Sequence, residues 1–369
     1  PHMPTVAVIE TYLRNFAPPD RAAEWDNVGL ILGDRTRPVS RILTCLTITP
    51  EVVEEAITVG AQLIVTHHPM LFRPVQKLTE ATPEGRMVLA LLRSGIAVYS
   101  PHTAFDNCRG GINDLLAQRL GIQGIGPLRP FDSPKQCKFV VFVPESDLAQ
   151  VSDAIFAAGA GIIGQYSQCS FRLAGTGTFF GSDATKPTIG QKGLREEVSE
   201  WRLEAICPEA GVDTVVAAMR RAHSYEEPAF DVYPLRPVKE PLGEGSVGNL
   251  PQPVALREWT AKVRSLLKSG PVQVVGNLDK QISRIAVACG AGGEFLQDAL
   301  RLGADAFLTG EMRFHDYLAA RAQGIALVLP GHYATERPGV EMLAERLQAQ
   351  WGDVTAQASQ REQDPVSWV

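Results

Sequence analysis

Apolar residues occur along this chain in short blocks whose internal spacing alternates between two rhythms. Residues 41–48, 62–66 and 96–100 are nearly continuous in hydrophobic character, as strands covered on both faces are. Between them, residues 50–60 and 83–94 place their apolar positions at helical spacing. In the first of these, Val52, Val53, Ala56, Ile57 and Val59 mark one face and Gly60 supplies a stop. The rhythm returns late in the chain, predicting strands at 284–289, 306–309 and 325–329 and helices at 292–302 and 313–323. A further helix is expected over 254–267.

A different pattern separates these two α/β stretches. Two proline-rich stretches, Pro127, Pro130 and Pro134, then Pro234, Pro237 and Pro241, read as linkers around it. Inside them the order is strand 137–143, helix 147–158, strand 168–177, strand 201–207 and helix 212–222. That order suits a ferredoxin-like β-α-β-β-α-β sandwich. The expected fold class is therefore α/β: two linked α/β halves, 1–130 and 240–369, that form a common core, with an inserted ferredoxin-like α+β domain over 131–239.

Composition narrows the class of function. With 369 residues, 45% of them hydrophobic, the chain has material for a packed core and for two to three domains, so disorder is not expected. A formal net charge of -6 argues against coating duplex nucleic acid or an anionic membrane. No apolar run approaches the roughly 20 residues that span a bilayer, and the N-terminus lacks a signal-peptide layout. Six scattered cysteines without a Cys-x-x-Cys pair indicate free thiols in a reducing cytoplasm. Pro1 and His2, ahead of Met3, read as a leftover of recombinant expression, so His2 is set aside.

Chemistry concentrates where strands are expected to end. His67 and His68 stand between an apolar strand and Pro69; both rings can serve one site only if the backbone turns there. The next strand leads into His102-Thr103-Ala104-Phe105-Asp106, and the strand at 325–329 leads into His332-Tyr333-Ala334-Thr335-Glu336. Here Thr335 is expected to cap a helix, with Glu336 at its first turn and Pro338 near its start. Each residue has an ordinary role available, as a solvated loop histidine, a hydrogen-bonding aspartate or a helix-start glutamate. Three strand ends that deliver His-His, Asp and His-x-x-x-Glu to the carboxyl edge of a sheet make a borderline ligand set for zinc, iron or manganese. Five ligands suit two divalent ions about 3.5–4 Å apart, bridged by a carboxylate. Such a centre acidifies water, and its residual positive charge favours an anionic substrate.

These residues carry a resemblance. The segments 24–30 (Glu-Trp-Asp-Asn-Val-Gly-Leu), 66–69 (Thr-His-His-Pro), 102–106, 309–312 (Thr-Gly-Glu-Met) and 331–336 resemble the NIF-three-like dinuclear-metal family, whose bacterial members are commonly described as GTP cyclohydrolase 1 type 2 homologues. The resemblance implies that His68 and Asp106 hold one ion, His67 and His332 the other, and that Glu336 reaches both. It also implies supporting roles for His102, Glu311 and His315, and a toroidal homohexamer. The central segment is similar to the PII-like and divalent-cation-tolerance-like trimeric domains found as an insert in longer members, through residues 175–179, Ile189-Gly190 and 225–234, with Ser224 where proline is usual. His223, Glu226 and Glu227 there raise the question of a third metal site.

The expected activity is a metal-dependent hydrolase using activated water, with opening of the guanine imidazole ring of GTP as the reaction the resemblance implies. A phosphoester or nucleotide hydrolase is the nearest alternative chemistry, and a metal-handling or ligand-sensing assembly the alternative of another class. No P-loop signature is present, so a nucleotide would be held by metals and local side chains.

Overall fold

The computed structural model describes residues 3–186 and 188–368; Pro1 and His2, read above as an expression leftover, lie outside them. Contacts divide the chain into two compact units, Asp132–Glu240 and the remainder.

The larger unit contains two sheets. One runs, edge to edge, Gly29–Leu32, Ala97–Ser100, Leu63–Thr66, Arg41–Cys45 and Thr355–Ala358, parallel except for the first strand. The other runs Gln273–Val275, Ala326–Leu329, Ala306–Leu308, Gln281–Val287, Lys239–Ala255 and Gln123–Asp132. Each half of the sequence thus supplies a strand to the sheet of the other. The expected apolar runs are strands because both of their faces are covered. In Leu63–Thr66, Leu63 and Val65 join a core shared by the two sheets, whereas Ile64 faces a second cluster with Val52, Ala56 and Leu91.

The helices Pro50–Thr58 and Pro83–Arg93 begin the same way, at Thr-Pro-Glu. The Thr49 and Thr82 hydroxyls accept from the amides of Val52 and Gly85, proline occupies the first turn where no N–H is needed, and glutamate meets the positive end of the helix. Among the described residues, no helix is long and apolar enough to cross a membrane.

The smaller unit has an antiparallel sheet in the order Phe171–Phe180, Arg195–Pro208, Gln136–Val143 and Phe230–Pro234. Helices Leu148–Ala157 and Val212–Ala222 pack on one face, through Val151, Ile155, Val215 and Met219 against Phe139, Val141 and Leu203. The chain order is β-α-β-β-α-β, the ferredoxin-like arrangement.

Two expectations are corrected. The prolines read as linkers are largely in strands. Pro127 and Pro130 lie in Gln123–Asp132, the edge strand of its sheet, where an absent N–H is tolerated, and Pro241 lies in Lys239–Ala255. The last helix begins at His332, before Thr335, because Gly331 at φ 104° turns the chain directly out of its strand. Thr335 is therefore no cap. Its hydroxyl accepts from the Gly290 amide (3.0 Å) and donates to the His332 carbonyl (2.8 Å), while Pro338 falls inside the helix.

Candidate metal centre

The strand Leu63–Thr66 ends in a bend that several contacts pin. The His67 and His68 amides donate to the Cys45 and Leu46 carbonyls at 2.9 and 2.8 Å, and the Ser100 hydroxyl donates to the His67 carbonyl at 2.7 Å. The two rings consequently leave the strand end on one side, with centroids 5.1 Å apart. The neighbouring strand Ala97–Ser100 runs into the short helix His102–Asn107, which carries Asp106; His102 opens it at φ 28°, a strained value for a residue with a Cβ. From the other sheet, Ala326–Leu329 leads to the helix His332–Gln350, where His332 and Glu336, four residues apart, share one face.

All five side chains meet. His67 Nε2 lies 3.5 Å from Asp106 Oδ1 and 3.9 Å from Glu336 Oε1. Nε2 of His68 and of His332 lie 3.1 and 3.0 Å from Glu336 Oε2. The distances set His67 beside Asp106 and His68 beside His332. The reason is local: the His67 ring packs against Phe105 on the helix that bears Asp106, whereas the His68 ring meets that of His332. Gly290 makes the approach of Glu336 possible, since a Cβ there would stand 2.2 Å from Oε1.

The outer nitrogens of three imidazoles are tied down. Thr47 Oγ1 holds His68 Nδ1 at 2.7 Å, Glu311 holds His332 Nδ1 at 2.9 Å, and Asp26 holds His102 Nδ1 at 2.7 Å. Fixing Nδ1 orients each ring and commits Nε2 to the centre, the support that metal-binding histidines receive. His67 has no such partner. Its exposure is 2%, and both ring nitrogens are buried without a hydrogen bond. Buried polar atoms left this way are costly, so the donor set fits a bound cation that would use them.

Charge is distributed to the same end. Burial holds His67 well below the ordinary imidazole value, so the ring stays neutral with the lone pair of one nitrogen free. Burial and then the charge of Glu336 push Asp106 up to about 7. Burial opposes ionisation of Glu336 as well, but hydrogen bonding to His332 and the surrounding imidazoles outweigh it and hold its carboxylate down. His332 is raised to about 9, burial being overcome by Glu336 and Glu311. Among the described residues, two groups of side chains present ligand atoms within 4.8 Å of one another: His67, His68 and His102, and His68, His332 and Glu336. A cavity of about 260 Å³ adjoins Asp106 and Asn113, roomy enough for water.

The remaining candidates separate. His102 stands against the His67 and His68 rings at 5.1 and 5.5 Å, and Glu311 orients His332. His315 is exposed on the helix Phe314–Gln323, with its ring beside Phe314, and belongs to neither group. His223 is buried, yet its Nε2 bonds the Phe142 carbonyl at 2.9 Å and its Nδ1 accepts from the Tyr225 amide at 3.1 Å, so it has no nitrogen left for a metal.

Sequence reasoning missed several supports. The Cys289 thiol donates to Asp106 Oδ1 at 3.1 Å, and Asn113 bonds both the Cys289 amide and the Asp106 carbonyl. Glu362, near the C-terminus, accepts from the Leu46 and Thr47 amides and so fixes the residue that holds His68. Nothing in their local sequence marks these residues. Asp26 was visible only as part of a motif.

Comparison with known proteins places this geometry in context. The profile of the family Duf34/NIF3 (NGG1p interacting factor 3) matches residues 4–365. A GTP cyclohydrolase 1 type 2 homolog of Halalkalibacterium halodurans is 39% identical over 365 residues, 98% of each chain, and one of Bacillus subtilis is 38% identical over 86% of each. A Bacillus cereus protein related to NIF3 superposes over the full length of both chains with a TM-score of 0.70 at 36% identity. A Staphylococcus aureus protein of known crystal structure reaches a TM-score of 0.82 at 27% identity, covering 100% of this chain and 99% of that one. The chain belongs to the Duf34/NIF3 family.

Proposed function

We propose that the protein is a dinuclear metal-dependent hydrolase in which His67, His68, Asp106, His332 and Glu336 would hold two divalent ions. The observation that carries this reading is the gathering of three imidazole Nε2 atoms, of His67, His68 and His332, within 3.9 Å of the one buried carboxylate of Glu336, with His67 left without a hydrogen bond. When bound, zinc, iron or manganese ions would supply an acidified water and positive charge to meet negative charge that develops on the substrate.

The chain's own residues supply the rest. Glu336 turns one oxygen to each group of imidazoles, while Thr47 and Glu311 keep His68 and His332 in register. Cys289 orients Asp106. His102, its Nδ1 fixed by Asp26, is positioned to hold or deliver a proton at Nε2.

A nucleotide is the favoured substrate. The relatives' name points to GTP, and the indole of Trp25, 61% exposed and packed against Phe72 and His102, offers a surface on which a purine stacks. The corresponding reaction is water addition at the imidazole carbon of guanine and ring opening to a formamide, which a second water hydrolyses with loss of formate. A cytoplasmic homohexamer is part of the same proposal. Its six free cysteines suit a reducing compartment, and light scattering measures the assembly.

The test is formate release from GTP by metal-loaded protein, beside metal-free protein and Glu336→Ala. We expect release from the loaded wild type alone. Turnover that survives both controls, or its absence for GTP, other nucleotides and phosphodiesters at full metal occupancy, would overturn the proposal.

A further inference from the structure

The unit Asp132–Glu240 contains a cavity of about 610 Å³, within the size range of about 300–1,000 Å³ typical of small-molecule sites. Its apolar wall includes Phe142, Leu173, Phe179 and Ile189. Two hydrogen bonds close its rim: the Lys186 amide donates to Glu226 Oε2 at 3.1 Å, and the Thr188 hydroxyl donates to the Ser224 carbonyl at 2.9 Å.

Glycines keep the space open. Gly175 stands opposite Glu200 in the strand pairing, and a Cβ on it would meet nothing within 4 Å. At Gly177 a Cβ would come 2.1 Å from Glu200 Oε2, so the carboxylate lies across this residue. Larger residues here would fill the cavity or displace its acid.

The polar lining is biased to one sign. Glu200, Glu226 and Glu227 all line the cavity, against the single guanidinium of Arg202. That guanidinium is already matched, 2.7 Å from Glu204 and over the Phe142 ring. Glu200 forms no ion pair among the described residues; its neighbour is the Tyr225 phenol, whose oxygen is buried and whose proton burial and then the Glu200 carboxylate hold in place. An apolar chamber whose carboxylate has a phenol beside it but no cation favours a ligand with an apolar body and a positive end.

We propose that this cavity is a binding site for an amphiphilic organic amine, its ring or branched body against Leu173 and Phe142 and its ammonium at Glu200 and Tyr225. The site is separate from the metal centre and independent of the hydrolase reading.

Calorimetric titration of the full chain with tryptamine, and with indole-3-propionate as the same ring bearing an acid, tests it. Tryptamine is expected to bind at one site per chain, with Glu200→Gln weakening it about tenfold or more and the acid binding at least as much more weakly than the amine. Gly175→Leu, which fills the chamber, should abolish binding. Because that variant can fail to fold, the isosteric Glu200→Gln is decisive. Equal affinity for amine and acid, an unchanged affinity in Glu200→Gln, or no tryptamine binding overturns the assignment.

Discussion

His67 and His223 are buried to nearly the same degree, 2% and 7% exposed, and each has acidic neighbours in sequence or space, yet they do opposite things. His223 has both nitrogens in protein hydrogen bonds and acts as a bracket between the Phe142 carbonyl and the Tyr225 amide. His67 has neither nitrogen satisfied and faces two carboxylates. Burial and acidic company do not distinguish a ligand from a structural histidine; the accounting of hydrogen bonds does.

The strongest test of this contrast is metal content. Glu336→Ala should cost the centre more than 100-fold in cation affinity, beyond the roughly 10–100-fold typical of supporting residues, whereas Glu226→Ala should leave metal content unchanged; elemental analysis after dialysis reads both. Retained metal in Glu336→Ala would erase the distinction.

Acid should act on the centre in a known direction. In the metal-free protein Asp106 sits at about 7 and His332 at about 9, and a cation must displace those protons to reach the lone pairs. Affinity should therefore climb as pH rises from 6 to 9, by about tenfold per unit for each proton displaced, in competition titrations with a chelating dye. Glu336, held down by its imidazoles, contributes nothing to this slope. A flat profile would show that these groups are not the ligands.

Glu311→Ala, which frees Nδ1 of His332, should weaken metal binding by about 10–100-fold without loss of folding. The smallest effects are in stability, and their signs differ. His223→Leu strands a carbonyl and an amide and should cost about 1–3 kcal/mol, lowering Tm by several degrees. His67→Leu, which removes two unsatisfied nitrogens, should leave the metal-free protein equally stable or raise it by on the order of 1 kcal/mol. Melts in a chelator compare the two.

Much of this was legible in the sequence, and the parts that were not have physical reasons. Buried parallel strands declare themselves as unbroken apolar runs, so residues 62–66, 96–100 and 325–329 were recognisable, and with them the strand ends that carry His67, Asp106 and Glu336. Edge strands do not. Gln123–Asp132 contains two prolines and two glycines and read as a linker, because an edge needs neither every N–H nor a continuous apolar face. Which imidazole stands beside which carboxylate was also hidden, since it depends on the pinned bend at His67–His68 and on the packing of Phe105. Cys289, Asn113 and Glu362 act through contacts made across 176 to 316 positions of chain, and no local pattern encodes such pairings.

The exchange of strands between the halves also sets a timetable for synthesis. Arg41–Cys45 emerges first, and its outer partner, Thr355–Ala358, is made only about 300 residues later. Until then a row of backbone donors and acceptors beside Ile42 and Leu43 stands open to any other extended peptide. A ribosome that stalls before residue 355 therefore releases a sticky, unfinished sheet, and a stop codon there should yield aggregate, although every candidate metal ligand has already been translated.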